Sequence, residues 1–363
     1  MLGIPISAPG LALIYRLGVM EESSHPIPAG EGYRMPPESA EHEATIVAWP
    51  CRAELWDDLM PAAKAEYAGV ANAIAEFEPV IMVTSASGGA TEARAALSGR
   101  VDIVEIPLDD SWVRDNGPVF CTDSQGRRAG VHFRFNAWGG KYPGWDRDEQ
   151  AGGVLAERYG DSVYRAPLVL EGGSVIIDSE GRLVTTEQCL LHPNRNPSLS
   201  RTDIQSALEG YLGATEVVWL GQGLLEDTDT DGHVDLVAAF TDSGSLLLQA
   251  RPLGDPNHGP MADNHQRAEE AGLEVIDFRP LARAEVGGRT VAHSYLNLYL
   301  CNHAAIVPLA GGANRGTDDE AIDLIGAAFP NREVIGVAGL TLAYGGGGPH
   351  CITQQIPARA VRS

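Results

Sequence analysis

The most constraining feature of this 363-residue sequence is a pattern of predicted elements that recurs four times. In each copy, two short apolar segments separated by turn residues predict a β-hairpin, and an amphipathic helix and a further strand follow it. Because the strands of a hairpin are antiparallel, this order argues against a simple parallel doubly wound sheet. The four predicted hairpin–helix–strand units span residues 119–163, 174–220, 236–278 and 295–337.

A polar residue precedes each hairpin at the same place in the unit. Asp115, Glu171 and His233 are separated by 56 and 62 residues (171 − 115 and 233 − 171), and a polar stretch at 295–297 begins the fourth unit. From Asp115 to Cys351 the chain runs 236 residues (351 − 115), which is four steps of about 59. Units that repeat at a nearly fixed interval predict a pseudosymmetric ring whose polar residues converge on one axis.

A fifth unit would complete this ring, and its parts lie at the two ends of the chain. Cys351 begins the unit, and the N-terminal region supplies a helix and a later strand for it. The sequence thus predicts an α/β fold with pseudo-fivefold repeats of hairpin–helix–strand. The predicted N-terminal elements are strands at 44–49, 80–84 and 101–106 and helices at 57–78 and 91–97.

The first 30 residues fall outside this pattern. Residues 10–19 are mildly apolar, but they lack a basic leader and a cleavage site. Met20 is followed by a polar run and would serve equally well as the first residue of the protein. We expect residues 1–30 to be a disordered tail or an artefact of an upstream start codon, and residues 31–363 to form a single catalytic domain.

Composition limits the partners of the protein. With 26 Lys plus Arg against 49 Asp plus Glu, the formal net charge is −23, which argues against nucleic acid and anionic membranes because both require a basic surface. No apolar run approaches the length of a membrane span. The five cysteines are scattered without a CxxC pair or a zinc-like spacing, so a reducing, cytoplasmic location is expected.

Four consecutive glycines, 345–348, stand shortly before Cys351. They bury no side chain, but they permit a crowded backbone and the close approach of another molecule. The residues that follow, Ile352 and Thr353, favour a strand, so the thiol would be held at the mouth of that strand. This placement suits a nucleophile, although an inert buried cysteine beside a turn is the alternative for a cysteine considered alone.

Three other polar residues have both a structural and a chemical interpretation. His233 lies in Asp-Gly-His-Val-Asp, where His233 and Asp235 would face the same side of an extended segment. Taken singly, His233 could be a surface or capping histidine, Asp115 a partner of the adjacent Arg114, and Glu171 a turn cap before two glycines. Their shared position in successive repeats favours a common site.

The stretch 227–232 copies the first half of a calcium-binding EF-hand loop, with acids at alternate positions and a glycine at the sixth. The twelfth position of such a loop requires a bidentate glutamate, and this chain has Ala238 there. We therefore expect no calcium site.

Several motifs, in order along the chain, resemble those of the agmatine deiminases, which belong to the guanidine-modifying superfamily with arginine deiminases, peptidyl-arginine deiminases and amidinotransferases. The resemblance runs from about residue 33 to residue 357 and includes the opening Arg-Met-Pro-Pro-Glu at 34–38. It implies a five-bladed α/β-propeller, in agreement with the repeats. The principal motifs are Trp-Val-Arg-Asp-Asn-Gly-Pro at 112–118, Phe-Asn-Ala-Trp-Gly-Gly at 135–140, Leu-Glu-Gly-Gly at 170–173, Asp-Gly-His-Val-Asp at 231–235 and the glycine loop with Cys-Ile-Thr-Gln-Gln at 345–355.

The resemblance implies a hydrolytic mechanism with no metal and no organic cofactor. Asp115 and Asp235 would hold the flat guanidinium through paired hydrogen bonds, and Cys351 would attack its carbon. His233 would protonate the departing ammonia, leaving a covalent thiouronium, and then deprotonate the attacking water. Glu171 would orient the imidazole. The products would be N-carbamoylputrescine and ammonia.

Two further residues resemble positions that line the entrance of the family's site. Agmatine ends in an ammonium, which an aromatic face or an acid can bind, and Trp112 and Asp229 lie beside the catalytic motifs. Trp112 could equally belong to the core. The density of acids around Asp229 leaves open which of them would contact the ammonium.

The electrostatics of this site make a thiolate costly. Two neighbouring carboxylates would raise the pKa of the Cys351 thiol above its ordinary value of about 8.5. A charged His233 or the substrate cation must offset that effect. Cys351 should therefore be more reactive with ligand bound or at mildly alkaline pH.

Other functions remain open at the level of sequence. The same thiol chemistry could act on free arginine or peptidyl arginine, or transfer an amidino group to an amine. A non-catalytic ring that binds guanidines or polyamines, and a metallohydrolase that uses Glu171, His233 and Asp235, are further alternatives. The resemblance also implies a homo-oligomer.

Overall fold

The computed structural model describes residues 27–85 and 88–359. Pro28–Glu31 form a 3₁₀ turn, so residues 27–30, which the sequence assigned to the tail, are part of the folded chain. The rest of the predicted tail, residues 1–26, lies outside the described residues.

The described residues form eighteen strands and several helices. The strands are β1 (His42–Ala48), β2 (Val80–Thr84), β3 (Val101–Glu105), β4 (Val119–Thr122), β5 (Arg128–Arg134), β6 (Ser162–Val169), β7 (Val175–Ile177), β8 (Arg182–Thr186), β9 (Glu216–Leu220), β10 (Ala238–Phe240), β11 (Leu246–Gln249), β12 (Val275–Phe278), β13 (Ala282–Val286), β14 (Arg289–His293), β15 (Tyr299–Cys301), β16 (Ala304–Leu309), β17 (Glu333–Ala338) and β18 (Thr353–Pro357). The α-helices are α1 (Ala53–Trp56), α2 (Met60–Ile74), α3 (Gly89–Ala96), α4 (Val113–Asn116), α5 (Asp146–Tyr159), α6 (Glu187–Leu190), α7 (Arg201–Leu212), α8 (His258–Glu270), α9 (Arg315–Ala328) and α10 (Leu340–Tyr344). Further 3₁₀ helices are Asp57–Leu59, Gly172–Ser174, Val234–Leu236 and Gly312–Asn314.

Four three-stranded sheets repeat a single pattern. The first two strands of each sheet form an antiparallel hairpin, and the third strand lies parallel to the second after a helical crossover. These are the hairpin–helix–strand units that the sequence predicts. In chain order the blades are β4–β5–β6, β7–β8–β9, β10–β11–β12 and β15–β16–β17.

The fifth blade joins the two ends of the chain, as predicted. Its strand order is β18–β1–β2–β3, with β18 antiparallel to β1 and the remaining pairs parallel. Thr45 on β1 lies opposite Gln355 on β18. Every residue of β18 is buried, which places this strand inside the fold. The fold is a five-bladed α/β-propeller.

The hydrophobic core lies between neighbouring blades. Each of five apolar clusters combines side chains from two adjacent blades. The predicted stripe of α2, including Tyr67, Val70 and Ile74, is fully buried in one of them. Val131 and Leu183, for example, belong to one cluster although they lie in the first and second blades. The apolar packing therefore joins the blades around the ring, and the polar residues that precede the blades meet at the axis.

One hairpin was not predicted. Strands β13 and β14 pair with each other between the third and fourth blades and pack against α10. Most of their residues are half-buried or exposed, and the strands carry Arg283, Glu285 and Arg289. This polar composition explains why apolar periodicity did not identify them.

Each predicted polar residue lies immediately before the first strand of a blade. Asp115 is in α4 before β4, Glu171 directly precedes Gly172–Ser174, and Cys351 is two residues before β18. His233 and Asp235 precede β10 in the same way. The repeat therefore brings side chains that are distant in sequence to one end of each blade.

We predict that Arg128 stabilises the closure of the ring. This buried side chain donates to the carbonyl oxygens of Tyr159 and Pro357 (2.7 Å each) and pairs with Glu43 (3.1 Å). Replacing it by methionine leaves both carbonyls without these donors, at about 1–3 kcal/mol each. Arg128→Met should therefore lower the free energy of unfolding in urea by roughly 3 kcal/mol.

The neighbouring Arg127→Met is the matched control, because Arg127 is exposed. Its guanidinium pairs with Asp123 and lies 5.6 Å from the centroid of the Tyr33 ring, and it donates to no buried carbonyl of the described residues. It should change stability little. Equal destabilisation by the two variants would contradict a special role for Arg128.

Candidate active site

Five predicted residues converge at the axis of the propeller. Asp115, Glu171, His233, Asp235 and Cys351 are each no more than 4% exposed. The Sγ atom of Cys351 lies 3.3 Å from Oδ2 of Asp235, and Nδ1 of His233 lies 3.9 Å from Oδ1 of Asp115. The spatial arrangement that the sequence predicts is present.

The Cys351 thiol is held by groups from two other blades. It donates to Oδ2 of Asp235, and Nδ2 of Asn297 donates to Sγ at 3.2 Å. The Asn297 side chain also accepts from the Cys351 backbone amide at 3.3 Å, so one asparagine fixes both ends of the residue. Burial, followed by the charges of Asp235 and Asp115, raises the pKa of the thiol well above its ordinary value. The sulfur is therefore protonated at neutral pH when no cation is bound.

His233 is surrounded by acids. Its Nδ1 lies 3.9 Å from Asp115 and 4.0 Å from Asp235, and its Nε2 lies 4.0 Å from Glu171. The Cys189 thiol lies beside the same ring, within 4.8 Å of it. Burial lowers the pKa of His233, but Asp115, the adjacent Cys189 and Asp235 outweigh it and raise that pKa well above its ordinary value. The ring is an imidazolium that can give a proton.

Asp115 is bound by neutral donors. The indole Nε1 of Trp138 donates to Oδ2, and the Gly173 amide donates to Oδ1, both at 2.9 Å. Burial raises the pKa of Asp115 to about 6; His233 lowers it, and Asp235 and Glu171 add to the rise. Asp115 is therefore more readily protonated below neutral pH than Asp235, whose pKa is lowered.

Trp138 reaches Asp115 from an unusual backbone turn. Ala137 and Trp138 have φ values of 52° and 54°, in the left-handed region that only glycine adopts readily, and Gly139 and Gly140 continue it. Asn136 stabilises the turn by accepting from the Gly139 amide at 2.8 Å. Such strain is characteristic of functional sites. The sequence motif was noted, but Trp138 was not identified as a site residue.

Glu171 is paired with an arginine that sequence reasoning missed. Nε of Arg195 donates to Oε1 of Glu171 at 2.7 Å, and both side chains are fully buried. The same guanidinium binds Asp231 at 2.6 Å and the Thr230 carbonyl at 2.9 Å. Arg195 thus links Glu171 to the loop that carries His233.

The acid-rich loop binds its own backbone. Oδ1 and Oδ2 of Asp227 accept from the amides of Thr230, Gly232 and His233 at 3.0–3.1 Å. These contacts fix the entry of the chain into His233. Of the three alternating acids, Asp227 therefore orders the loop and Asp231 pairs with Arg195.

Asp229, the remaining acid, lines a cavity of about 330 Å³ next to the thiol. Its Oδ1 accepts from the Tyr142 hydroxyl at 2.8 Å. Trp112 forms part of the same cavity wall, and it also packs on Trp56 in the core, with ring centroids 5.9 Å apart. Both predicted entrance residues thus lie at the cavity. Trp112 contacts the core as well as the cavity, so both of the placements considered from the sequence apply to it.

One group of described residues could be considered for a metal. Ligand atoms of Glu171, Cys189 and His233 lie within 4.8 Å of one another. One oxygen of Glu171 is already bound to Arg195. The arrangement fits proton transfer better than metal binding.

Fold and site together define the class: a propeller with a thiol, an imidazole and paired carboxylates at its axis, the arrangement expected of a guanidine-modifying enzyme. The chain belongs to the Porphyromonas-type peptidyl-arginine deiminase family, whose model matches residues 34–357.

Individual relatives cover nearly the whole chain. It is 39% identical to the agmatine deiminase of Stutzerimonas stutzeri over 92% of this chain and 98% of that protein. It is 37% identical to the agmatine deiminase of Pseudomonas aeruginosa strain LESB58 over 91% and 97% of the two chains. The solved structure of agmatine deiminase from Enterococcus faecalis superposes with a TM-score of 0.85 at 32% identity, covering 94% of this chain and 100% of the other.

We predict that Gly173 must lack a side chain. A Cβ there would lie 2.7 Å from Oδ2 of Asp235 and Nδ1 of His233, and 2.8 Å from Oδ1 of Asp115. Gly173→Ala must displace these groups, and a shift of about 1 Å in such a site costs about a hundredfold in rate. We expect kcat/KM to fall by roughly that factor.

Gly69→Ala is the control, because a Cβ on this helical glycine meets nothing within 4 Å. It should leave kcat/KM unchanged and should not destabilise the protein. Full activity in Gly173→Ala would show that the three groups need not be packed this closely.

Proposed function

We propose that this protein hydrolyses agmatine to N-carbamoylputrescine and ammonia through a covalent thiouronium on Cys351. The observation that supports this most directly is the contact between the Cys351 thiol and Asp235, with Asp115 and His233 around the same point. A planar cation placed there has carboxylates for its N–H groups and a sulfur for its carbon. The agmatine deiminase relatives support the choice of substrate.

In the first half of the reaction, Asp115 and Asp235 bind the guanidinium, and the Cys351 thiol loses its proton to solvent. The thiolate forms a C–S bond to the guanidinium carbon, giving a tetrahedral adduct. The His233 imidazolium donates its proton to one amino group, the C–N bond breaks, and ammonia leaves. The carbon remains on sulfur as a thiouronium cation.

In the second half, neutral His233 removes a proton from water as the water oxygen attacks the same carbon. Collapse of the second adduct breaks the C–S bond and returns the electron pair to sulfur. The proton of the adduct hydroxyl passes to that sulfur, which restores the thiol and releases the neutral ureido product. Glu171, held by Arg195, lies 4.0 Å from Nε2 of His233 and stabilises the imidazolium that forms again. Each half of the reaction uses His233 once, first as an acid and then as a base.

The substrate itself activates the nucleophile in this scheme. Two unit charges 4 Å apart at an effective dielectric of 20 interact by about 4 kcal/mol, which corresponds to roughly three pKa units. A bound guanidinium therefore offsets much of the effect of burial and of the two acids on the thiol. The thiolate would form chiefly when a cation of the right shape is present.

The surroundings of the cavity favour agmatine over arginine. Asp229 lines the cavity, and so does Asp110, which pairs with Arg52 at 2.8 Å. An ammonium at the far end of the substrate is attracted to Asp229, whereas the carboxylate of arginine is repelled by it. The wall of Trp112 and Tyr142 suits a short aliphatic chain.

We further propose that the protein acts in the cytoplasm in putrescine biosynthesis, as a homo-oligomer that binds neither nucleic acid nor membranes. The five cysteines are all free, as suits a reducing compartment. No helix among the described residues combines the length and apolarity needed to cross a membrane.

The function is tested by following ammonia and the ureido product from agmatine, free arginine and a peptidyl arginine. We expect turnover of agmatine alone at a substantial rate, and loss of at least a thousandfold in Cys351→Ser, as for other covalent nucleophiles. Asp229→Asn should raise KM for agmatine by about tenfold, with a smaller effect on kcat, because it removes one charge contact.

Asp123→Asn, on an exposed turn remote from the cavity, is the control for loss of one acidic charge. Preferred turnover of arginine would assign a different guanidine substrate. Absence of ammonia release from every guanidine would contradict an enzymatic role.

The pH dependence of the thiol gives a second test. Without ligand, the thiolate absorbance of the wild-type protein minus that of Cys351→Ser should titrate well above the ordinary pKa of about 8.5. Methylguanidine should lower the midpoint by two units or more, because its charge offsets those of Asp115 and Asp235. Sodium chloride at the same concentration controls for ionic strength. A midpoint insensitive to methylguanidine would rule out activation by the substrate.

A further inference from the structure

A chain of hydrogen bonds extends from the thiol away from the substrate cavity. Oδ2 of Asp235 accepts from Cys351 and lies 2.8 Å from Nδ1 of His350. Nε2 of His350 lies 2.9 Å from Oε2 of Glu38, whose Oε1 accepts from the Leu300 amide at 2.7 Å. The proposed mechanism gives no role to His350 or Glu38.

The charges along this chain alternate. His350 has a carboxylate at each ring nitrogen, so both nitrogens donate and the ring is an imidazolium. Burial and Arg114 lower the pKa of His350, but Glu38 and Asp235 outweigh them and raise it. Burial raises the pKa of Glu38, yet His350 and Arg114 lower it to about 2. Both acids are therefore anionic across the range in which an enzyme works.

His350 gives different pKa values to the two carboxylates proposed to hold the guanidinium, Asp235 and Asp115. Burial raises the pKa of Asp235, but the bonds and charge of His350, with His233, outweigh it and hold that pKa below its ordinary value. Asp115 has only neutral N–H donors, and its pKa is raised to about 6. Asp235 thus has the His350 imidazolium as a bonded counter-ion, whereas no cation among the described residues is bonded to Asp115.

The geometry of Asp235 shows what the counter-ion achieves. Oδ2 is engaged by both His350 and Cys351, whereas Oδ1 has no hydrogen-bond partner among the described residues and lies 4.0 Å from Nδ1 of His233. A carboxylate held through one oxygen presents the other in a fixed direction. That direction is toward the site occupied by His233.

We propose that Glu38 and His350 are positioning residues for the deimination, which fix the Asp235 carboxylate so that Oδ1 meets the guanidinium while Oδ2 holds the Cys351 thiol. The inference rests on the proposed function, because it concerns the clamp for the same substrate. It assigns a role to Glu38, which follows Pro37, and to His350, which immediately precedes Cys351.

The pair lies outside the substrate cavity. Glu38 and His350 line a second cavity of about 550 Å³ that shares no lining residue with the one beside the thiol, and Asp235 also lines this second cavity. A substitution at either residue therefore alters Asp235 without removing any group that touches substrate. This separation makes the role testable.

Replacement of His350 by glutamine retains a neutral donor to Asp235 and removes the charge. Asp235 then faces Cys351, His233 and Asp115 without its counter-ion, and its pKa rises toward that of Asp115. The two acids titrate as a coupled pair. The acidic limb of kcat/KM should move to higher pH and steepen from a slope near one toward two, with KM for agmatine raised at least tenfold at neutral pH.

Glu38→Gln keeps a hydrogen-bonding partner for Nε2 of His350 and removes only the outer charge. We expect a smaller shift of the acidic limb in the same direction. Glu41→Gln is the matched control: it lies in the same segment, its side chain is exposed, and it removes the same charge. Its pH profile should match that of the wild type.

A purely structural role would predict a different result. His350→Gln and Glu38→Gln would then lower the urea midpoint and the amount of active enzyme, with the acidic limb unchanged in position and slope. That outcome in folded, active variants would overturn the proposal. If His350→Gln does not fold, the acidic limb of kcat/KM in Glu38→Gln decides the question alone.

Binding of agmatine to Cys351→Ser, measured by calorimetry with and without His350→Gln, separates this inference from the proposed function. A lack of ammonia release by the wild type contradicts the function. The affinity for agmatine falls as the pH is lowered. If this fall occurs at the same pH in Cys351→Ser with and without His350→Gln, the positioning role is contradicted, whatever the reaction proves to be.

Discussion

The burial of carboxylates around one sulfur is the constraint on which the rest of the structure depends. Ionised acids are costly to bury unless each is paired, and the protein pairs them individually. Glu171 has Arg195 and Asp235 has His350, whereas Asp115 is bonded only to neutral donors, with the His233 ring 3.9 Å away. Negative charge therefore exceeds what bonded cations neutralise, and the excess is placed where a substrate cation binds.

The propeller is suited to this arrangement because it keeps apolar packing and polar chemistry apart. Neighbouring blades bury their apolar side chains against one another, and each blade contributes one short segment to the axis. Residues as far apart as Asp115 and Cys351 thus meet without a long buried loop. The fifth blade adds a constraint, since β18 carries the strand after Cys351 and pairs with β1. The nucleophile is correctly placed only when the ends of the chain have joined.

The blades and the positions of Asp115, Glu171, His233 and Cys351 were predictable because they follow local patterns and a regular interval, whereas the role of Asp235 came from the family resemblance. Sequence reasoning missed residues whose roles depend on distant contacts: Glu38 meets His350 across 312 positions, and Arg195 meets Glu171 as part of an otherwise ordinary asparagine-rich loop. The left-handed turn at Trp138 has no periodic signal either, although the adjacent glycines mark it. Paired charges in the second layer of a site are set by tertiary structure, which periodicity does not encode.

The same electrostatics connect reactivity to substrate recognition. A thiol whose pKa is raised by burial and by Asp235 and Asp115 is a poor nucleophile toward neutral electrophiles and oxidants, because only the thiolate reacts. In the proposed mechanism, a cation that fits between the carboxylates lowers the pKa of the thiol when it binds. Shape would then select the planar guanidinium and charge would generate the thiolate, so one binding event would supply both requirements. An enzyme with a preformed thiolate would gain reactivity in its free state but would lose this dependence on the substrate.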